Sequence, residues 1–196
     1  MAHTLTLENP MTATPERPAL DEATLAFAEK VFDAARQGDA ARLALWLDNG
    51  LPPDLRNAQG DSLLMLASYH GHAEAARLLL ARGADAGLVN GRGQTPLAGA
   101  AFKGDVDMVR LLLDGGAAVD GPSPDGRTPL MFAALFNHPA VVELLLSRGA
   151  NPRAADLQGN TALGCALAMK ADAAAALLRS AGAESFEWKD ELARVG

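Results

Sequence analysis

The chain has 196 residues, 49% of them hydrophobic but only 5% aromatic, so its core has to be built mostly from Leu, Ala, Val and Met. A formal net charge of −7 excludes duplex DNA and an anionic membrane as default partners, because no basic field is available to release counterions. One cysteine, Cys165, rules out an intramolecular disulfide and suits a reducing, cytoplasmic setting, and no apolar run of about 18 residues suggests a membrane span.

Residues 1–20, "MAHTLTLENPMTATPERPAL", have neither a basic n-region nor an apolar h-region and carry three prolines. They are expected to form a disordered tail, not a signal peptide. From Asp21, Leu25, Ala28, Val31, Phe32 and Ala35 recur at helical spacing and predict a first helix longer than those that follow. This opens an N-terminal capping unit at 21–56.

Beyond it the chain repeats every 33 residues. Gly60, Gly93, Gly126 and Gly159 keep that spacing, and Gly50, Gly83, Gly116, Gly149 and Gly182 keep it on a second track. Leu64, Leu97, Leu130 and Leu163 fall in the same register. The units are set at 57–89, 90–122 and 123–155, with a C-terminal capping unit and terminal helix over 156–196. Within each unit Ser62, Thr95, Thr128 or Thr161 stands where a hydroxyl can cap a helix, and Pro96 and Pro129 take the first helical position, where a missing N–H costs nothing. A short apolar helix then runs to Gly71 or Gly104, each suited to a left-handed cap. A second helix such as "DVDMVRLLLDG" follows, and tips such as "NGRG" and "PDGR" turn the chain into the next unit. One such unit cannot bury its own apolar face, and stacking makes one continuous core. In the last unit Lys170 occupies a glycine or asparagine position. Trp188, Leu192 and Val195 form a helical stripe expected to lid the open end, with a partner-binding helix as the rival reading.

The pattern resembles the ankyrin repeat. Its G-x-T-P-L motif stands as Gly93-Gln94-Thr95-Pro96-Leu97 and Gly126-Arg127-Thr128-Pro129-Leu130. Its G-H signal is Gly71-His72, and its G-A-D/N signals are Gly83-Ala84-Asp85 and Gly149-Ala150-Asn151. The resemblance covers roughly residues 24–184 and implies an all-α fold, an ankyrin-repeat α-solenoid of stacked helix-turn-helix units with β-turn tips. It also implies a concave groove for a protein partner, lined by Tyr69-His70, Phe102-Lys103 and Leu135-Phe136. The tips would be Gln59/Asp61, Arg92/Gln94, Asp125/Arg127 and Gln158/Asn160. Two strings, "GDSLLMLASYHGHAEAARLLLARGAD" and "RGQTPLAGAAFKGD", look like a subgroup of small bacterial ankyrin proteins. In that subgroup leucine (Leu63) replaces the usual proline, and Met65 and Ala98 stand where a helix histidine is usual. Such proteins are sometimes encoded beside haem catalases, which implies an accessory role in peroxide defence.

The residues that could carry chemistry read as scaffold. His70 and His72 flank Gly71 and are expected to diverge, and His72 and His138 are two units apart, on the order of 20 Å at about 8–10 Å per helix. No shared metal is expected, and the resemblance implies that His72 and His138 hydrogen-bond backbone at the inter-helix turn. Cys165 reads as a buried structural thiol. "GRGQTP" lacks the third glycine and the preceding strand of a phosphate loop. Asp105/Asp107 and Asp190/Glu191 are first-turn helix charges. No nucleophile, base and oxyanion site come together, so neither an enzyme nor a cofactor is expected. The only tyrosine and two of six phenylalanines fall at groove positions, where exposed rings make interface anchors. The rival reading is that these rings fill gaps between neighbouring first helices, above all Phe102. The function expected is a monomeric, non-catalytic protein-binding module with Arg92, Gln94, Asp125 and Arg127 at its rim. An inhibitor or immunity-type protein of a bacterial enzyme, a small-molecule binder or enzyme using the groove, and a self-associating module remain alternatives.

Overall fold

The structure is a computed structural model that describes residues 21–121 and 123–183. The expected tail over 1–20 and the Trp188 stripe lie outside the described residues. Among those described are ten helices: α1 Glu22–Gln37, α2 Ala40–Asp48, α3 Leu63–Tyr69, α4 Ala73–Ala81, α5 Pro96–Lys103, α6 Val106–Asp114, α7 Pro129–Leu135, α8 Pro139–Ser147, α9 Ala162–Ala168 and α10 Asp172–Ser180. There is no strand among them, only isolated antiparallel bridges at Arg56–Ser62 and Ala155–Thr161. The odd-numbered helices pack in one row, α1 on α3, α3 on α5, α5 on α7 and α7 on α9, and the even-numbered helices form a second row. The chain is an all-α solenoid.

The caps explain why each helix begins where it does. Ser62, Thr95, Thr128 and Thr161 accept through their hydroxyls from the N–H of Met65, Ala98, Met131 and Gly164, at 3.1, 3.1, 3.4 and 3.1 Å. Each such cap contributes about 1 kcal/mol. In the second row Asp39 and Asp105 cap α2 and α6 through their carboxylates. His72 and His138 stand at the same register but make no side-chain cap. Instead Nε2 of His72 bonds the carbonyl of Arg36 at 2.8 Å, and Nε2 of His138 bonds that of Phe102 at 3.0 Å. Each imidazole bonds backbone, as the resemblance implies, and the carbonyl it takes belongs to the unit before.

The left-handed position between the two helices of a unit follows this choice. Gly38 and Gly104 lie at φ 73° and 75°, and a Cβ on either would come within 2.5 Å of the His72 or His138 ring. Glycine is required twice there, for its conformation and for the space. Asn137 takes the same position at φ 53°, and its Oδ1 accepts from the N–H of Ala174 at 3.2 Å. It thereby caps α10, where Ala171 supplies no side-chain bond. Lys170 is left-handed at φ 56° without glycine's freedom.

Columns of leucine fill the core. Leu64, Leu97, Leu130 and Leu163 are buried in one row, and Leu79, Leu112, Leu145 and Leu178 in the other. At the N-terminal end Val31, Phe32 and Ala35 are buried, but Leu25 is exposed and Ala28 only partly buried. The apolar stripe expected from Leu25 onward therefore reaches the core only in its second half. The 16-residue α1 outruns the seven-residue α3 against which it packs.

Adjacent tips are joined by backbone. The N–H of Gly91 donates to Gln59 O at 2.8 Å and that of Leu157 to Asp125 O at 2.9 Å. The intervening position is Pro124, which has no N–H to give. Its ring lies over Gly93, where a Cβ would meet Pro124 Cδ at 2.2 Å.

Candidate functional site

The C-terminal ends of α3, α5 and α7 present Tyr69, Phe102 and Phe136, which are 44%, 38% and 42% exposed. Tyr69 and Phe102 share a register, whereas Phe136 belongs to the register of His70 and Lys103, one residue later. That offset sets the contacts. Lys103 reaches back over the Tyr69 ring, its Nζ 5.1 Å from the centroid, and Phe136 reaches back to Phe102, edge-on with centroids 4.5 Å apart. The rings form linked pairs along the stack. His70 is exposed beside Tyr69, at 5.7 Å between centroids, and Leu135 is half-buried. The His70 and His72 rings lie near-parallel, 6.4 Å apart at 17°. They do not diverge as expected, because His72 is turned back on its bond to Arg36.

Between Tyr69 and Phe102 the face opens into a hollow of about 270 Å³. Its floor is Met65, Ala98, Gly99 and Phe132, and Arg92 and Gln94 border it from the tips. The column Leu66, Gly99, Phe132, Cys165 explains the shape. A glycine in the interior of α5 leaves the space, and a phenylalanine in the next unit adds to its floor. A second hollow of about 220 Å³ lies beyond Phe132, with Arg127, Leu135, Asp156 and Cys165 on its lining. Neither Gly99 nor Phe132 is among the residues expected from the sequence. The signal that could have found them is this column's variation inside an otherwise uniform apolar helix.

The tips are held by side-chain-to-backbone turns. Asn90 Oδ1 accepts from the N–H of Arg92 and Gln94 at 3.0 and 2.9 Å. Its amide donates to Asp61 at 2.7 Å and to Gln94 Oε1 at 3.1 Å. Arg92 Nε donates to Gln94 Oε1 at 3.0 Å, and an Arg92 terminal nitrogen stands 3.9 Å from Asp61. In the next tip Ser123 replaces Asn90, and Asp125 takes over, accepting from the Ser123 hydroxyl and the Arg127 N–H. The Ser123 hydrogen bond, chiefly, holds the Asp125 carboxyl below the usual carboxylate range against a smaller opposing effect of burial.

Asp156 occupies the Asn90 register in the last unit, its side chain only 1% exposed. Burial alone would raise its pKa. The Asn160 amide, the N–H of Asn160 and Gln158, and Arg127 together outweigh that and hold it low. Arg127 meets both carboxylates through Nε, Asp125 at 3.4 Å and Asp156 at 3.7 Å. Cys165 departs from its expected place. It is half-buried on the lining of the second hollow, and an acid of its own unit acts on it. Burial first, and then the Asp156 charge, push the thiol pKa up. A thiol so placed stays protonated and is a weak nucleophile.

Of the residues expected at the groove, Tyr69, Phe102, Arg92 and Gln94 line the first hollow, and Arg127 and Leu135 line the second. Phe136 adjoins through Phe102, His70 and Lys103 flank Tyr69, and Asp125 holds the rim. A family model described as ankyrin repeats (three copies) matches residues 31–123, 78–156 and 100–186. The chain belongs to the ankyrin-repeat family. It is also similar to an ankyrin repeat protein of Pseudomonas aeruginosa, 60% identical over 67 residues. That stretch is 34% of this chain and 39% of the relative's length. Ankyrin repeats are typically non-catalytic modules that mediate protein–protein interaction. Among the described residues no helix is long and apolar enough to cross a membrane.

Proposed function

We propose that this ankyrin-repeat protein binds another protein through the face built by α3, α5 and α7, and that it does so without catalysis. The observation that carries the proposal is the exposure of Tyr69, Phe102 and Phe136 on one side of the stack, each over a third exposed. Large rings left in solvent beside a preformed hollow are what interface anchors are made of. Asn90, Asp61 and Gln94 at the tip edge of the first hollow are hydrogen-bonded to one another, which favours a protein over a small ligand or substrate. Arg92, Gln94, Asp125 and Arg127 set specificity at the rim.

Affinity capture from a lysate of the source cell tests this. Tyr69→Ala with Phe136→Ala is expected to abolish capture of the native partner while the protein stays folded, its thermal melt falling by only a few degrees. Undiminished capture by a folded double variant contradicts it. The narrower forms, an accessory of a bacterial enzyme such as a haem catalase or an inhibitor of one, rest on the family resemblance alone. The identity of the captured protein separates them.

A further inference from the structure

We infer that the groove takes an acidic segment of the partner protein carrying a large apolar side chain, the apolar group seating at Gly99 and the acids meeting Arg92 and Arg127. This rests on the protein-binding reading of the face and specifies its partner.

The charges that stand furthest out on the face are mostly positive, above acids that balance them in number. The chain as a whole carries −7, yet the side chains standing out along the hollows are Arg92, 72% exposed, Arg127, 48% exposed, and Lys103. Their acidic neighbours are sunk beneath them, Asp61 at 13% and Asp156 at 1%. Asp125 is the exception at 44% exposed, tied to Ser123 and to the Arg127 N–H, and Asp105 is occupied capping α6. The cations are only partly satisfied. Arg92 stands 3.9 Å from Asp61, and Arg127 meets both of its carboxylates through Nε, leaving its terminal nitrogens for an outside acceptor. With a screening length of about 8 Å in physiological salt, an approaching segment feels these groups more than the acids of the far row.

The floor supplies the other half of the recognition. Met65, Ala98 and Phe132 are apolar, Tyr69 and Phe102 form walls, and Gly99 contributes an absent side chain. A Cβ at Gly99 would meet only Tyr69, at 3.6 Å, so the space is available to a guest. Arg92 and Arg127 sit on successive tips, one repeat and two residues apart in sequence, and stacked units lie about 10 Å apart. An extended chain advances about 3.3 Å per residue, so acids roughly three residues apart match both.

The probe is an immobilised set of eight-residue peptides read with the fluorescently labelled full chain. The reference peptide is Ser-Gly-Glu-Phe-Gly-Glu-Gly-Ser. Its companions carry Lys for Glu, Ser for Phe, or the two acids adjacent, and a labelled oligouridylate is tested in parallel. Retention is expected only on the peptide with Phe and spaced acids. It should fall at least tenfold with Arg92→Glu plus Arg127→Glu, and likewise with Gly99→Leu. The latter fills the hollow with the residue that the fold already accepts at Leu66, so folding is preserved. Retention on Phe peptides regardless of charge, abolished by Gly99→Leu, overturns the acidic partner and leaves the groove reading standing. Retention that ignores Gly99→Leu and the arginine reversals alike overturns both. Preference for the Lys peptides or the oligouridylate, or no retention at all, overturns the inference.

Discussion

Phe136 stands edge-on to Phe102, centroids 4.5 Å apart at 71°, although Phe136 comes one repeat and one residue later. The contact couples two units at the surface, and its worth is about 0.5–1.5 kcal/mol beyond area burial. Phe136→Ala should therefore cost on the order of 1 kcal/mol of stability. Leu130→Ala, at a fully buried position of the same unit, should cost about 2–5 kcal/mol. Urea unfolding of both variants checks the ordering. Equal costs would make Phe136 a core residue.

Gly99 lies in the interior of α5, where glycine is about 0.5–1 kcal/mol less favourable than alanine. A Cβ there meets nothing closer than 3.6 Å. Gly99→Ala should raise the stability measured by urea unfolding by about that amount while weakening partner capture. A variant that gains stability at the expense of binding is the expected signature of a residue kept for the hollow.

Gly104 is the opposite case. Its φ is 75°, and an added Cβ would lie 2.5 Å from the His138 ring. Gly104→Ala should destabilise by about 1 kcal/mol for the left-handed backbone, and by more for displacing the imidazole from Phe102 O. Adding His138→Ala relieves the clash, so the double variant should lose less than the sum of the two single losses. Denaturant melts of the cycle measure the difference.

Asn137 separates conformation from capping. Asn137→Gly keeps the left-handed backbone and loses the bond to the Ala174 N–H, at a cost of about 1 kcal/mol. Asn137→Ala loses both and should cost about 1 kcal/mol more. Equal losses in urea titrations would contradict the assigned cap.

Asp156 gives the fold an acid limb. Its folded-state pKa is lowered, so the folded state binds fewer protons than the unfolded chain. The stabilisation is complete above the unfolded carboxylate range, near pH 4, and is lost as pH falls through the folded-state pKa. Asp156→Asn places there the residue found at Asn57 and Asn90, whose side chains accept the same turn N–H bonds. The variant should be little changed at neutral pH and lose stability less steeply below about pH 4. Urea midpoints across this range, compared with the parent, read out the change.

The scaffold was legible because each of its demands recurs. The caps at Ser62, Thr95, Thr128 and Thr161, the left-handed glycines and the leucine columns could be read from spacing alone, since every unit needs them in the same place. The surface was legible only in outline. Tyr69 and Phe102 stood out as rings at variable positions, but the Phe102–Phe136 contact crosses registers, and a repeat alignment hides such a diagonal. Gly99 carries its information as missing volume, which reads in sequence as a weak helix former. Cys165 looked buried because its helix is apolar, yet it sits in the column that faces the hollows. His72 turns parallel to His70 because a carbonyl in the preceding unit orients it, a partner that local spacing does not reveal.

The central claim, that a protein docks on the α3–α5–α7 face, is tested most directly by placing a photo-crosslinking benzoylphenylalanine at Phe136 and, separately, at Arg110, exposed on α6 in the other row. Irradiation in lysate should give a covalent partner adduct from position 136 and none from position 110. An adduct from position 110 alone, or equal adducts from both, would contradict the claim.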